Sequence, residues 1–423
     1  MSDIVKGMVV IMENYIERLY AKYTGVFNEL DITFNPRFNF IVGPNGSGKT
    51  SILKCIALVL NPNQAGKMRY KESSSIWFDA VVDAKKYRIG LGEGWVENAE
   101  KYRNSHLKAW TTPPTEDDVT ALNINNLSFN KINITPLILG AYRRIEYRSI
   151  QVMTKETNPV DQREFYHNSG FGNIEGEIQS NVKQWMINRY FQIDKDWATL
   201  YKNNWNWFID NLKTLCPKSY DLQFKEIKRD LEPIFTLNGI DCYLEEISAG
   251  FQAFLSVIFA IIEWIELTNE DCSAYVPEAV GTVIIDELDV HLHPEWQLTI
   301  RESLAAFFPK LQFITTTHSP HLIASAHPGE IIILPELCRN INIKPTEKSY
   351  SGWNTDQILE DVMGVKSLEN KTYAIMLEEA MQYVSNKDLI GLQRVIESLS
   401  KIVHPSNTIL QVLQIKLAAL ELE

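Results

Sequence analysis

The run Gly43-Pro44-Asn45-Gly46-Ser47-Gly48-Lys49-Thr50 fits the pattern G-x-x-x-x-G-K-[ST]. Glycines at these positions let backbone N–H groups close around phosphate oxygens, and a following helix start adds partial positive charge. Lys49 would reach the outer phosphates and Thr50 would offer its hydroxyl to Mg2+. Asn45, Gly46, Ser47, Gly48, Lys49, Thr50 and Ser51 are therefore the expected nucleotide-binding residues. The flanks suit the motif. Phe38-Asn39-Phe40-Ile41-Val42 reads as a buried strand, and Thr50 to Leu60 has helical apolar spacing that stops at Asn61-Pro62.

Three further groupings bear on the same chemistry. Val283-Ile284-Ile285 runs into Asp286-Glu287, an apolar strand ending in two carboxylates. Asp286 is expected at the metal and Glu287 beside an attacking water, although such a pair can also cap the turn after any buried strand. The segment from Leu244 to Gln252 opens a helix whose apolar face carries Phe251, Phe254, Leu255, Ile258, Ile262 and Ile265. Ser248 stands at its N-cap position; it caps a core helix, or with Gly250 it makes a second anion site for a γ-phosphate arriving from a facing subunit. His318, in Thr315-Thr316-Thr317-His318-Ser319-Pro320, follows the apolar strand Phe313-Ile314. A lone histidine there is structural or a γ-phosphate sensor, and a place outside the C-terminal end of a parallel strand favours the sensor. His291 and His293 form a His-x-His pair able to chelate, with no third ligand evident.

These groups need a sheet to hold them. Residues 14 to 34 and about 74 to 96 read as strands of an antiparallel lobe, 98 to 130 as a polar surface insertion, and Pro136 to Leu139 as a second buried strand. Residues 175 to 235 carry helical patterns rich in aromatics and are expected as a compact helical insertion. Past the chemistry, Leu389, Leu392, Ile396, Leu399 and Val403 fall on one helix face, Pro405 breaks it, and Leu410, Leu413, Leu417 and Leu420 form a second stripe.

The bulk numbers set limits. A chain of 423 residues has room for one large domain and an appended module. Its 41 Lys+Arg against 53 Asp+Glu give a net charge of −12, which argues against general nucleic-acid capture but leaves room for a local basic groove. Five cysteines without a C-x-x-C pair suggest free thiols in a reducing compartment. No signal peptide or membrane-spanning run is visible, so a cytoplasmic protein that does not contact a membrane is expected.

In order along the chain, the phosphate loop 43 to 50, ISAGFQ at 247 to 252, Asp286-Glu287 and His318 resemble the ABC-type ATPases of the SMC and RecF group. More narrowly, VIIDELDVHLHPEWQ (283 to 297) and ITTTHSPHLI (314 to 323) resemble the ATPase region of OLD-family proteins and their stand-alone relatives in the Septu and retron antiphage systems. The resemblance covers about residues 14 to 335. With the pattern of elements, it implies an α/β fold: an ABC-type P-loop ATPase domain over 1–340, with a central mainly parallel sheet, an antiparallel β lobe and the helical insertion, followed by a helical C-terminal module over 341–423. It also implies ATP and Mg2+ as cofactors, and Asp289 as the acid of a dimer-contacting loop that includes His291 and His293. Two departures matter. No glutamine stands directly after the second strand, where Tyr142-Arg143-Arg144 lie, so Arg143 or Arg144 is expected to touch phosphate instead, and no acidic triad follows that would build in a nuclease.

The expected function is an ATP-hydrolysing switch, a homodimer or higher homo-oligomer, that controls a separate effector nuclease in antiphage defence. A rival reading is a RecF-like DNA-binding maintenance factor, in which Lys183, Arg189, Lys195 and Lys202 would line a stripe for DNA or RNA. A third holds nucleotide as a structural scaffold with negligible turnover.

Overall fold

A computed structural model describes residues 13–124, 132–143, 145, 147, 149–153, 158–176, 182–269, 274–336, 338–365, 371–404 and 408–421. At the centre lie five strands in the order β15 (Ile331–Ile333), β3 (Phe38–Val42), β14 (Leu311–Thr316), β13 (Gly281–Ile285) and β9 (Leu137–Leu139). Every pairing among them is parallel. β3, β13 and β14 are buried at every residue, as strands covered on both faces must be, and this explains their unbroken apolar runs. Parallel strands put their C-terminal ends on one edge, so the residues that follow β3, β13 and β14 converge there. The expected α/β fold with a mainly parallel central sheet holds.

The lobe is a six-stranded sheet in the order β16 (Asn340–Ile343), β2 (Phe27–Thr33), β1 (Asn14–Thr24), β4 (Tyr70–Val82), β5 (Lys85–Leu91) and β8 (Val119–Asn123). Its inner pairs are antiparallel, while its two edge pairs, β16 on β2 and β8 on β5, are parallel. Gln312 of β14 locks lobe to central sheet. Fully buried, it donates to the carbonyls of Ile16 and Asn35 and accepts from the Ile16 N–H and the Thr282 hydroxyl. The stretch 98 to 130 is less irregular than expected: it supplies β8 and, with β6 (Gly94–Glu97), the hairpin strand β7 (His106–Trp110).

Helices α1 (Lys49–Leu60), α2 (Pro159–Ile174), α5 (Ala249–Thr268), α6 (Pro294–Phe307), α7 (Pro320–Ser325) and α8 (Thr355–Asp361) belong to this unit. α5 has the length and hydropathy to cross a membrane, but 83% of its apolar window is buried within the protein, as suits a core helix. The segment expected as a helical insertion is helical only in part. It holds α3 (Val182–Gln192) and α4 (Thr199–Leu215), then passes into β10 (Leu222–Ile227) and β11 (Pro233–Leu237), which with β12 (Ile240–Tyr243) form an antiparallel sheet.

The basic stripe imagined on this insertion does not exist as such. Lys195 and Lys202 are exposed, but Lys183 is buried between Glu232 (2.5 Å) and Glu245 (3.0 Å), and Arg189 is buried against Glu266 (2.5 Å). Cations placed inside a domain need carboxylate partners, and these take up the charge that DNA would have met.

Residues 1–364 and 365–423 form two compact units. The break falls after β16 and α8, beyond the expected 340/341, since β16 pairs with β2 and α8 packs on α7. In the second unit α9 (Lys371–Ser385), α10 (Leu389–Ser400) and α11 (Thr408–Glu421) share a core of Ala380, Leu392, Val395, Ile396, Leu399, Leu410 and Leu413, with Leu417 and Leu420 packed on it. The two apolar stripes therefore meet inside their own unit; Pro405 lies outside the described residues.

Glu266 accepts from Arg189 Nε, from Trp185 Nε1 (3.1 Å) and from Asn204 Nδ2 (3.1 Å). Glu266→Ala takes the buried carboxylate from that guanidinium, and a loss of about 3–5 kcal/mol is expected, read as a lower denaturation midpoint. The double replacement Glu266→Leu with Arg189→Met should recover a large part of it.

Candidate functional site

The phosphate loop is shaped by its glycines. Gly43, Gly46 and Gly48 all take positive φ (146°, 80° and 98°). A Cβ at Gly43 would stand 2.8 Å from the Leu334 carbonyl, and one at Gly48 2.9 Å from the Phe27 ring, so neither position admits a side chain. The left-handed Gly48 is the N-cap from which α1 begins at Lys49. Lys49 Nζ bridges the carbonyls of Gly43 (2.9 Å) and Pro44 (3.1 Å) above the loop. Burial pulls its pKa below the usual lysine value, opposed by Asp286, Glu287 and Asp289.

Thr50 Oγ1 reaches both carboxylate oxygens of Asp286 at 3.1 Å, and Thr316 Oγ1 donates to the same carboxylate at 2.6 Å. Thr316 also accepts the Glu287 N–H at 2.7 Å. One threonine of β14 thus holds the aspartate and the backbone of the glutamate after it. Glu287 has φ of 50°, a left-handed conformation that costs a non-glycine residue about 1–2 kcal/mol and aims its half-buried side chain off the strand line.

Arg143, expected to touch phosphate, is bonded to main chain. Its guanidinium donates to the backbone carbonyls of Gly140 (2.8 Å), Asp286 (2.6 Å) and Glu287 (2.5 Å), not toward the phosphate loop. Burial lowers its pKa to about 10, with Asp286, Asp289 and Glu287 opposing the shift, so it stays charged at neutral pH. Arg144 lies outside the described residues.

His318 sits half-buried past β14. Asp289 anchors its main chain: one carboxylate oxygen accepts from the Thr317 hydroxyl (2.6 Å) and from the His318 backbone N–H (3.1 Å). The acid expected on a contact loop is therefore occupied within its own chain. His293 accepts from the Glu295 N–H (3.4 Å) as N-cap of α6, which gives one of the His-x-His pair a helix-capping role. Among the described residues no cluster of three metal-binding side chains forms.

Ser248 holds the N-cap position of α5, yet its side chain makes no capping bond and is exposed. It is neither of the simple alternatives in full: a cap by position, with its hydroxyl uncommitted. The preceding loop is fixed by Gln252, which donates to the carbonyls of Glu245 (2.9 Å) and Ile247 (2.7 Å). A Cβ at Gly250 would lie 2.7 Å from the His291 carbonyl, so this glycine lets α5 rest on the segment that follows Asp286-Glu287.

The residues present fit a magnesium nucleotide. Ser47 Oγ is buried in the loop with no hydrogen-bond partner among the described residues, and Thr50 and Asp286 form a hard-oxygen pair suited to Mg2+. Thr316 was not singled out beforehand; its signal was a run of threonines ending a strand buried throughout.

A glycine-shaped phosphate loop beside a strand-end aspartate and glutamate, on the edge of a parallel sheet, defines a P-loop ATPase. The chain belongs to the AAA ATPase domain family, whose pattern matches residues 98–323. It is 27% identical over 423 residues to the Septu protein PtuA of Bacillus thuringiensis, covering 97% of this chain and 98% of that one. It is 25% identical to the Septu protein PtuA of Bacillus mycoides, over 82% of this chain and 46% of that protein. With the Retron Vc95 probable ATPase of Vibrio cholerae it shares 28% identity over 39% of this chain and 29% of that protein, so it spans less than half the length of these last two. The SMC head domain from Thermotoga maritima matches 79% of the chain at 15% identity, with a TM-score of 0.46. The resemblance to Septu and retron ATPases read from the motifs holds.

Burial, then Lys49, press the His318 pKa below 6.5. Between that lowered value and about 6.5 the unfolded chain binds more protons, so this residue makes stability rise with pH across the window and fall as pH drops through it. In nucleotide-free protein the His318 ring resonance should titrate below about 6.5, and His318→Asn should flatten that part of the stability profile. A midpoint above the ordinary value would contradict the enclosure described.

Proposed function

We propose that this protein is an ATP-operated engagement switch in antiphage defence, in which two copies close around nucleotide and govern a separate effector nuclease. The observation that carries the reading is Ser248. A serine at the N-cap of a 20-residue helix that leaves its hydroxyl exposed and unbonded offers that hydroxyl and the helix N-terminus to an anion. The anion would be the γ-phosphate held by a second copy, met by Ser248 and Gly250 together. Antiphage defence and an effector are supported by the likeness to the Septu and retron relatives.

Bound Mg2+–ATP supplies the phosphoanhydride to be cleaved and the metal charge that stabilises the leaving group. Lys49, Ser47 and the loop N–H groups hold the phosphates, and Thr50 and Asp286 hold the metal. Glu287 orients water and accepts its proton, while His318 contacts the terminal phosphate. Only the triphosphate state engages both Ser248 and His318, so ATP favours the closed pair and hydrolysis releases it.

Light scattering and phosphate release with wild type and Glu287→Gln test this. The variant should bind ATP, remain associated and lose about 10²–10⁴-fold in turnover, the usual worth of a general base. Equal mass with and without ATP, together with no hydrolysis by wild type, would rule the switch out in favour of nucleotide as a fixed scaffold.

A further inference from the structure

We infer that Arg143 is the positioning residue for Glu287, acting through the backbone of the turn after β13 and not through phosphate. The inference rests on the ATPase reading above. Three other buried arginines face buried carboxylates, Arg88 pairing with Asp79, Arg189 with Glu266 and Arg301 with Glu330, while Arg163 gives its Nε–H to the Thr268 carbonyl (2.7 Å). Arg143 instead places its two terminal nitrogens on three main-chain carbonyls, two of them successive.

That pair of carbonyls carries the argument. In an extended strand, successive carbonyls point to opposite sides, so one guanidinium cannot hold both. They turn to a common side only if the chain leaves the strand conformation between them, as it does at Glu287, where φ is 50°. The Glu287 N–H is tied to Thr316 and its carbonyl to Arg143. With both ends of the residue fixed, its Cα–Cβ direction is fixed as well. Neither bond engages the carboxylate, so the side chain stays available to water.

Arg143 is itself well placed to impose this. It follows β9, which runs parallel to β13, and the Asp286 N–H continues that ladder onto the Leu139 carbonyl (2.9 Å). A Cβ at Gly140 would fall 2.0 Å from the Asn173 carbonyl, and Asn173 Nδ2 donates to the Ile138 carbonyl (2.9 Å), so the end of α2 clamps the strand end from which Arg143 extends. Asp286 has its own supports in Thr50 and Thr316. Removing Arg143 therefore frees the glutamate and leaves the metal and phosphate ligands in place.

The test uses full-length Arg143→Met and Arg143→Lys. In Arg143→Met, kcat should fall roughly 100-fold, as for a displaced catalytic group, while KM and the affinity for a fluorescent ATP analogue stay within about 3-fold. Arg143→Lys, which keeps the charge and can reach some of the carbonyls, should recover part of kcat. In nucleotide-free protein, amide exchange over residues 286–289 should quicken in Arg143→Met with residues 43–50 unchanged. A loss of ATP affinity with kcat retained would make Arg143 a phosphate ligand and overturn the inference, as would unchanged kcat and exchange. Should Arg143→Met fail to fold, the kcat-against-KM split in Arg143→Lys decides. Absence of hydrolysis by wild type would strike the ATPase reading instead, and the exchange measurement would still judge Arg143.

Discussion

The carboxylate of Asp286 is the point on which the site is built. It is buried at the end of β13 and accepts hydroxyl hydrogens from Thr50 at the start of α1 and from Thr316 at the end of β14. An ionised carboxylate away from water is tolerated only with donors or cations around it. The phosphate loop, the central strand and its neighbour must therefore stay in register for this group to remain satisfied. Gln312 sets that register from the far side by tying β14 to β1 and β13 before Thr316 is reached. Near Asp286 stand Glu287 and Asp289, with Lys49 and Arg143 as the cations coupled to all three. That balance leaves room for a divalent metal ion.

What could be read from the sequence is what depends on local spacing. The loop from Gly43 to Thr50, the strand ending in Asp286-Glu287, Ser248 before its helix and His318 after β14 are each fixed by neighbours within a few residues. Arg143 was visible as a candidate, but its partners are main-chain carbonyls, and a carbonyl carries no residue type to recognise. Lys183 and Arg189 looked like surface cations because Glu232, Glu245 and Glu266 lie far along the chain and only folding brings them together. The short strands β10 to β12 carry little strand signal, since their burial alternates weakly beside strongly helical segments.

The same distinction governs the two units. Apolar stripes at helical spacing on α10 and α11 identified helices, and they are consumed by a core that also recruits Ala380 of α9. Stripe periodicity reports a buried face without saying what buries it. The unit boundary moved for a comparable reason: Asn340–Ile343 is four residues of unremarkable composition, and its pairing with β2, more than 300 residues earlier in the chain, cannot be inferred from spacing.

Gly250 has a consequence of its own. It brings the start of α5 into contact with the His291 carbonyl, in the segment that begins with Glu287 and passes through Asp289. In the proposed closure, the end of the molecule that would greet a neighbour's nucleotide is thereby packed on the turn that would act on its own. In a closed pair, each phosphate group would be sensed by both subunits through that single packing contact. Two equivalent pockets joined in this way are expected to fire together, giving turnover that climbs more steeply than in proportion to ATP, with a Hill coefficient above one.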